Sequence, residues 1–426
     1  MIKAFIVVTV FLYPLIVLAT KIKIVTHNQM GIWTHDPQDE KTYYSAIVKN
    51  YFDAVGNVDV IIFNFQELME LKVDKAFKQV NPFNKNKSNS KSTSDSKNSS
   101  NSKSTLDSKI TSDSKNSSNS KSTSNSTDTA NVSKNGNLLL TKVHARLLKY
   151  FKNDKYNCTY IIEYYMATIV CVDKTITDFK VKKYNESFFN GKLKLFSFVN
   201  GLFGQKGGMI TSIMFGNKWI LNTNVHLDSA NSKDRQSQFK NLYEICETSE
   251  MVKEPNQRSI FIFAGDFNQR STEAQKKKYE KDIIEKQIKP STIFENKNEG
   301  EMKDTIIKDY DLDEKNIEFI PTYKIDDKKL RGKKIKFSEI KNSKNISGYY
   351  KDGKASYTDR ILIDKKLNSF FYTIVDYTIL DLDSVFSDHL PVVATITIEN
   401  FQNNNNVGKR PRSKQVFKHA ESKLII

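Results

Sequence analysis

Five apolar runs in this chain each end on groups that can do hydrolytic chemistry. KIKIVTHNQ ends on Asn28, VIIFNFQE on Glu67, WILNTNVHLD on His226 and Asp228, FIFAGDFNQR on Asp266 and Asn268, and a run near the C-terminus carries Ser387, Asp388 and His389. Carboxylates hold a hard cation and take a proton from water, while amides and imidazoles steady the charge that develops on the group being attacked. The donors are mainly oxygen, with no Cys/His cluster, which points to magnesium as the cation. One Gly-Asp-x-Asn is an ordinary strand-to-turn ending. Five strands that deliver Asn, Glu, His, Asp/Asn and Asp/His form a constellation, because a strand end is a rigid place to mount such groups.

The elements that carry these ends can be read from periodicity. A strand over KIKIVTHNQ leads through a short loop to TYYSAIVKNYF, whose apolar residues recur at helical spacing, and then to the strand VDVIIFNFQE. TKVHARLLKYF predicts a helix, and YIIEYYMATIVCVD predicts two strands around a tight turn. GGMITSIMF and WILNTNVHL, separated by Gly216 and Asn217, predict a hairpin. QSQFKNLYEICETSE reads as a helix before the strand that ends on Asp266. SYTDRILID, FFYTIVDYTIL and VVATITI then read as three more strands. Strands outnumber helices and most neighbours are antiparallel, so the pattern predicts an α+β fold: two sheets packed face to face with helices outside.

The 426 residues hold less folded material than their number suggests. Residues 84–135 are almost wholly Ser, Asn, Lys, Thr and Asp, and KSTSDSKNSSNSKST at 91–105 returns at 109–123 with one change. Such a tract has no apolar surface to offset its ordering entropy and is expected to be a disordered insert. The insert holds nine Lys against four Asp, and the tail from 408 holds six Lys/Arg against one Glu, so most of the formal +17 lies outside the domain. An acidic ligand or surface is favoured only mildly by what remains. Residues 1–20 read as a secretory leader, with a signal anchor as the alternative; residues 21–400 read as the catalytic domain and 401–426 as a basic tail. Export agrees with the sequons at Asn157, Asn185 and Asn345. Cys158 and Cys171 can pair across neighbouring strands, leaving Cys246 alone; burial of all three as small apolar residues is the alternative.

In order, Asn28, Gln66-Glu67, GQKGG at 204–208, His226-Leu227, GDFNQR, PTYK at 321–324, Thr358-Asp359-Arg360 and Ser387-Asp388-His389 resemble the endonuclease/exonuclease/phosphatase superfamily. Within it they are most similar to the inositol polyphosphate 5-phosphatases, over Lys21 to about Ile398. The resemblance implies a four-layer α/β/β/α sandwich of DNase I type and hydrolysis of a phosphate ester, the 5-phosphate of an inositol polyphosphate or phosphoinositide. It further implies metal binding by Glu67 with Asn28 and Asp388, a water-activating Asp266, and an Asn268 amide on a phosphoryl oxygen. His226 and His389 are expected to face the phosphate, with Asp359 accepting a hydrogen bond from His389. Lys206, Tyr323 and Lys324 are expected to reach substrate phosphate, and Arg360 to brace the fold.

This sequence departs from the family pattern at two places. Gln205 stands where Asn is usual, and DGKASY at 352–357 replaces a Lys-Arg-x-Pro-Ala-Trp run. Both departures fall on recognition and neither on hydrolysis, so a secreted sphingomyelinase or a DNase I-like nuclease on the same fold stays open beside the phosphatase. A nonenzymatic binder of inositol phosphates is disfavoured because every metal and acid/base residue is present. Nucleic acid is the less favoured substrate, contact of the basic tail with an anionic membrane is expected, and oligomeric state is left open.

Overall fold

The computed structural model describes residues 19–69, 139–177, 179–183, 188–189, 206–215, 218–229, 231–249, 258–270, 277, 281–282, 306–331, 333–339, 349–351, 355–364 and 372–399. The leader before Ala19, the repeat insert, the basic tail, Gln205, Gly216, Asn217, Asn185, Asn345 and 352–354 of DGKASY lie outside these residues.

The strands are β1 (Ala19–Asn28), β2 (Val60–Gln66), β3 (Tyr156–Glu163), β4 (Met166–Asp173), β5 (Phe179–Lys183), β6 (Phe188–Phe189) and β7 (Gly207–Phe215). Then follow β8 (Lys218–His226), β9 (Arg258–Asp266), β10 (Leu312–Asp313), β11 (Asp359–Asp364), β12 (Tyr372–Ile379) and β13 (Val392–Glu399). The longer helices are α1 (Glu40–Val55), α2 (139–150) and α3 (Ser232–Thr248). Every strand and helix read from periodicity is present. The short strands β5, β6 and β10 were not foreseen, because two to five residues carry too little alternation to read. Ala19 and Thr20, counted with the leader in the sequence, pair with Glu399 and Ile398 in the first strand.

Among the described residues the strands form a six-stranded sheet, β12-β13-β1-β2-β4-β3, and a seven-stranded one, β10-β11-β9-β8-β7-β5 with β6 beside β7. The two sheets pack face to face with helices outside, the four-layer α/β/β/α sandwich. Helix α1 starts at Asp39, whose carboxylate accepts from the Thr42 N–H at 3.0 Å, and stops at Gly56, φ 68°. Its buried stripe of Tyr44, Ile47, Val48, Tyr51, Phe52 and Val55 covers the outer face of the first sheet. Helix α3, capped by Asn231, does the same on the second sheet with Phe239, Leu242, Tyr243 and Cys246.

The interior faces explain where chemistry can sit. Alternate residues of four central strands point between the sheets: Ile22, Ile24, Thr26, Asn28 on β1; Val60, Ile62, Asn64, Gln66 on β2; Ile220, Asn222, Asn224, His226 on β8; Ile260, Ile262, Ala264, Asp266 on β9. Each face is apolar at one end and polar at the other, and the polar ends gather on one edge. A buried polar layer stitches the sheets together on the way. Asn64 and Asn222 exchange amide hydrogen bonds at 3.1 and 2.8 Å, and Gln66 Nε2 donates to Asn224 Oδ1 at 2.7 Å. Asn224 Nδ2 donates to Ala167 O at 2.9 Å. Such a layer is tolerable only because its members are mutually satisfied.

Cys158 and Cys171 face each other across β3 and β4 and are joined by a disulfide; Cys246 is buried outside any disulfide, its thiol pushed up to about 12 by burial.

Candidate active site

Two parallel strand pairs set the site. β1 and β2 end with Asn28 opposite Gln66, and β8 and β9 end with His226 opposite Asp266. The second pair runs so close that a Cβ on Gly265 would lie 1.9 Å from the Val225 carbonyl oxygen. That is why a glycine must precede Asp266. A similar constraint governs Gly208, which lies in β7, where a Cβ would meet Leu242 of α3 at 2.7 Å. The last glycine of GQKGG therefore serves helix packing.

Asp266, 1% exposed, is the hub. Its Oδ1 accepts from the Asn268 N–H at 2.8 Å and its Oδ2 from Asn28 Nδ2 at 3.0 Å. His226 Nε2 and His389 Nε2 stand 3.7 and 3.9 Å from the same Oδ2. Asn28 is locked in turn, since its Oδ1 accepts from the Met30 N–H at 3.2 Å. Asn268 sits at φ 51° and donates its Nδ2 to Leu227 O at 3.0 Å, so here its amide braces the loop beneath Asp266.

Glu67 leaves β2 in the left-handed region, φ 48°, with its carbonyl accepting from Gly31 N–H at 2.6 Å. The turn aims its carboxylate into the cleft, where the side chain is 30% exposed and Oε1 lies 3.3 Å from His226 Nε2 and 3.9 Å from Lys206 Nζ. Burial pushes this carboxyl up, but the hydrogen bond and charge of His226, with the charges of Lys206 and His389, outweigh it and hold it well below the usual carboxylate range. An ionised, partly open carboxylate beside a second one suits a hard divalent cation, so the donor set fits such an ion. Asp266, Asp359 and His389 also bring ligand atoms within 4.8 Å of one another. In that trio, however, Asp359 Oδ2 already accepts from Thr322 Oγ1 at 2.8 Å, Thr358 Oγ1 at 2.9 Å and His389 Nδ1 at 2.9 Å.

His389 is held by that carboxylate. Burial works against its charge, yet the Asp359 and Asp266 carboxylates win and raise it to about 10, so it is an imidazolium at neutral pH. Asp388 is pushed up by burial and faces Lys324 at 3.6 Å and His389 Nε2 at 3.8 Å. Lys206 Nζ is 2.5 Å from His226 Nε2, and burial lowers its pKa against the charges of Asp266 and Glu67. The Tyr323 ring lies tilted by 41° with its centroid 4.6 Å from that of the His389 ring, and the Arg270 guanidinium and Lys324 Nζ stand 5.3 and 5.4 Å from the Tyr323 centroid. Of the buried polar atoms on these cleft residues, His226 Nδ1 and Asp359 Oδ1 have no hydrogen-bond partner among the described residues. Arg360 pairs with Glu314 away from the cleft, both 5% exposed, in the bracing position expected of it.

The structure thus brings Asn28, Glu67, Lys206, His226, Asp266, Tyr323, Lys324, Asp359, Asp388 and His389 to one cleft. Sequence reasoning overlooked Arg270, which stood within the quoted GDFNQR, and Thr322, which stood within PTYK. It also passed over the amide layer, whose signal was Asn at alternate positions of otherwise apolar strands.

A family model described as Endonuclease/Exonuclease/phosphatase family 2 matches residues 25–395. No curated protein gives a significant sequence match. Among solved structures, a Cimex nitrophorin ferrous NO complex is 14% identical, with 90% of this chain and 99% of that one covered and a TM-score of 0.45. TDP2 of D. rerio with a single strand DNA product is 11% identical, with 88% and 98% covered and a TM-score of 0.39. Beta toxin from Staphylococcus aureus is 16% identical, with 87% and 98% covered and a TM-score of 0.39. At these identities and scores, none of the three bears on substrate.

Proposed function

This chain belongs to the endonuclease/exonuclease/phosphatase family, and we propose that it is a magnesium-dependent phosphatase removing the 5-phosphate from an inositol polyphosphate or phosphoinositide. The observation that carries the reading is the convergence of Lys206, Lys324 and Arg270, from three separate segments, on the cleft that holds Asp266, His226 and His389. Three cations at one mouth suit a substrate with more than one phosphate. The GQKGG, PTYK and Thr358-Asp359-Arg360 matches support the same reading.

Asp266 takes a proton from the attacking water while Asn28 keeps its carboxylate turned toward the cleft. His389, charged and fixed by Asp359, donates toward a phosphoryl oxygen, and His226, beside the same Asp266 oxygen, approaches the same group. Lys206, Lys324 and Tyr323 hold the substrate's remaining charge. A magnesium ion held by Glu67, with Asn28 and Asp388 in support, would neutralise phosphoryl charge and steady the leaving alkoxide.

One observation favours a second reading, a phospholipid diesterase acting on sphingomyelin. Ala355, Ser356 and Tyr357 supply no cation, and the buried Tyr357 donates its hydroxyl to Phe319 O at 2.8 Å, so this stretch serves packing. A site that lacks those cations reads fewer phosphates.

An oxidising setting, secreted or lumenal, is proposed with the function. The Cys158–Cys171 disulfide and the exposed Asn157 sequon support it. No helix among the described residues is long and apolar enough to cross a membrane. Contact with an anionic membrane surface through the basic tail belongs to the same proposal.

The test offers purified protein with magnesium four substrates: phosphatidylinositol 4,5-bisphosphate, inositol 1,4,5-trisphosphate, sphingomyelin and plasmid DNA. Phosphate release from the inositol compounds alone is expected. Turnover of sphingomyelin or DNA alone overturns the proposal.

A further inference from the structure

Behind the cleft, on the outer face of the first sheet, lies a chain of buried side chains with no place in the proposed hydrolysis. Trp33 Nε1 donates to Gln29 Oε1 at 2.6 Å, Gln29 Nε2 donates to the Tyr51 hydroxyl at 3.0 Å, the hydroxyl meets His27 Nδ1 at 2.5 Å, and His27 Nε2 meets the His389 carbonyl oxygen at 3.1 Å. All four of these side chains are at most 1% exposed.

The direction of every bond follows from what each atom can do. A carbonyl oxygen only accepts, so His27 Nε2 carries a proton and donates it to His389. The hydroxyl of Tyr51 already accepts from Gln29 and so gives its single proton to His27 Nδ1. His27 is therefore neutral, with its proton on Nε2. The chain runs one way from Trp33 to the backbone of the catalytic segment, with no donor or acceptor of the His27 ring left over.

The His389 carbonyl needs this partner. Residues 388–390 cross Thr322–Ile325 through an isolated antiparallel bridge in which Ile325 N–H donates to Asp388 O and Leu390 N–H to Thr322 O, each at 2.8 Å. His389 is the residue between those bonds, so its own N–H and C=O point away from the crossing segment. The N–H is met by Ser387 Oγ at 3.1 Å, and the C=O is met by His27. Asp359 fixes the ring and His27 fixes the backbone from which the ring hangs.

We propose that His27 is a positioning residue for His389, holding the catalytic segment to helix α1 through Tyr51 so that His389 Nε2 keeps its place beside Asp266. The proposal rests on His389 acting in phosphoester hydrolysis, whichever ester is the substrate.

The test is a double-mutant cycle with an independent spectroscopic arm. His27→Phe keeps an aromatic ring but removes the donor. It is expected to lower kcat about tenfold or more with KM changed less than about twofold, and to have no further effect in a His389→Ala background. His27→Gln retains an amide donor at a similar reach and is expected to recover most of the loss, whereas His27→Asn, a shorter amide, is not. Should His27→Phe fail to fold, the Gln and Asn pair carries the comparison. Equal losses in the wild-type and His389→Ala backgrounds would overturn the proposal, as would Gln and Asn variants of equal activity. The NMR signal of the His389 Nδ1–H, bonded to Asp359, is read without substrate. It should shift or broaden in His27→Phe and return in His27→Gln, and an unchanged signal in every variant overturns the proposal even if no substrate has been found.

Discussion

The two sheets repeat one topology. Taken edge to edge, β12-β13-β1-β2-β4-β3 and β5-β7-β8-β9-β11-β10 place a parallel pair at the centre of each sheet, joined by a helix outside it: β1–α1–β2 in one, β8–α3–β9 in the other. Both pairs lose apolar character toward the same end, and both are followed by a residue in the left-handed region, Glu67 at φ 48° and Asn268 at φ 51°. The cargo differs. The first half delivers Asn28, Gln66 and the ionised Glu67; the second delivers His226 and Asp266. The architecture thus decides where chemistry can stand, and in the proposed mechanism residue identity assigns the cation to one half and the proton to the other.

Four changes test that division, in descending size of effect. Asp266→Ala removes the proposed proton acceptor of the second half and should lower kcat about a thousandfold, while magnesium affinity measured by calorimetry changes far less. Glu67→Gln acts on the first half and should weaken magnesium binding at least about tenfold, with activity partly regained by excess magnesium. If the two variants respond alike to added metal, the division fails.

Asp359→Asn probes His389 through pH. The folded pKa of His389 is raised, so its contribution to stability is fully present below its ordinary value of 6.5 and disappears as pH rises through about 10. The stability advantage of the wild type over Asp359→Asn in urea titrations should therefore shrink across that window, and the alkaline limb of activity should move toward neutrality in the variant.

The smallest effect concerns the join between the halves. Asn64→Leu leaves the Asn222 amide buried and unpaired, at a cost of about 1–3 kcal/mol in urea unfolding. The double Leu variant should recover part of that cost.

Much of this was legible in the chain. Helices α1 and α3 show their apolar stripe and capping residue, and every longer strand alternates or runs apolar between turn residues. Asn28, Glu67, His226, Asp266, Asp388 and His389 could be picked out because an apolar run that stops on a carboxylate, amide or imidazole departs from its own pattern, whereas Lys206, Tyr323, Lys324 and Asp359 came from the family resemblance. Cys158 and Cys171 were legible only as a choice between pairing and burial, since spacing alone does not set the register that places them opposite each other. Arg270, Thr322 and His27 escaped for a related reason: each acts through a neighbour distant in sequence.

The sequence by itself determined which segments form strands and helices, which ends are polar, and that oxygen donors and histidines stand at those ends, because periodicity and residue chemistry are local properties. Tertiary structure alone decided that Asn28 restrains Asp266, that Glu67 is held ionised by His226 and Lys206, that His389 is charged by Asp359, and that His27 grips its carbonyl. Those are matters of distance and burial between segments up to 362 residues apart, and a hydrogen bond or a shifted pKa exists only once folding has set that distance.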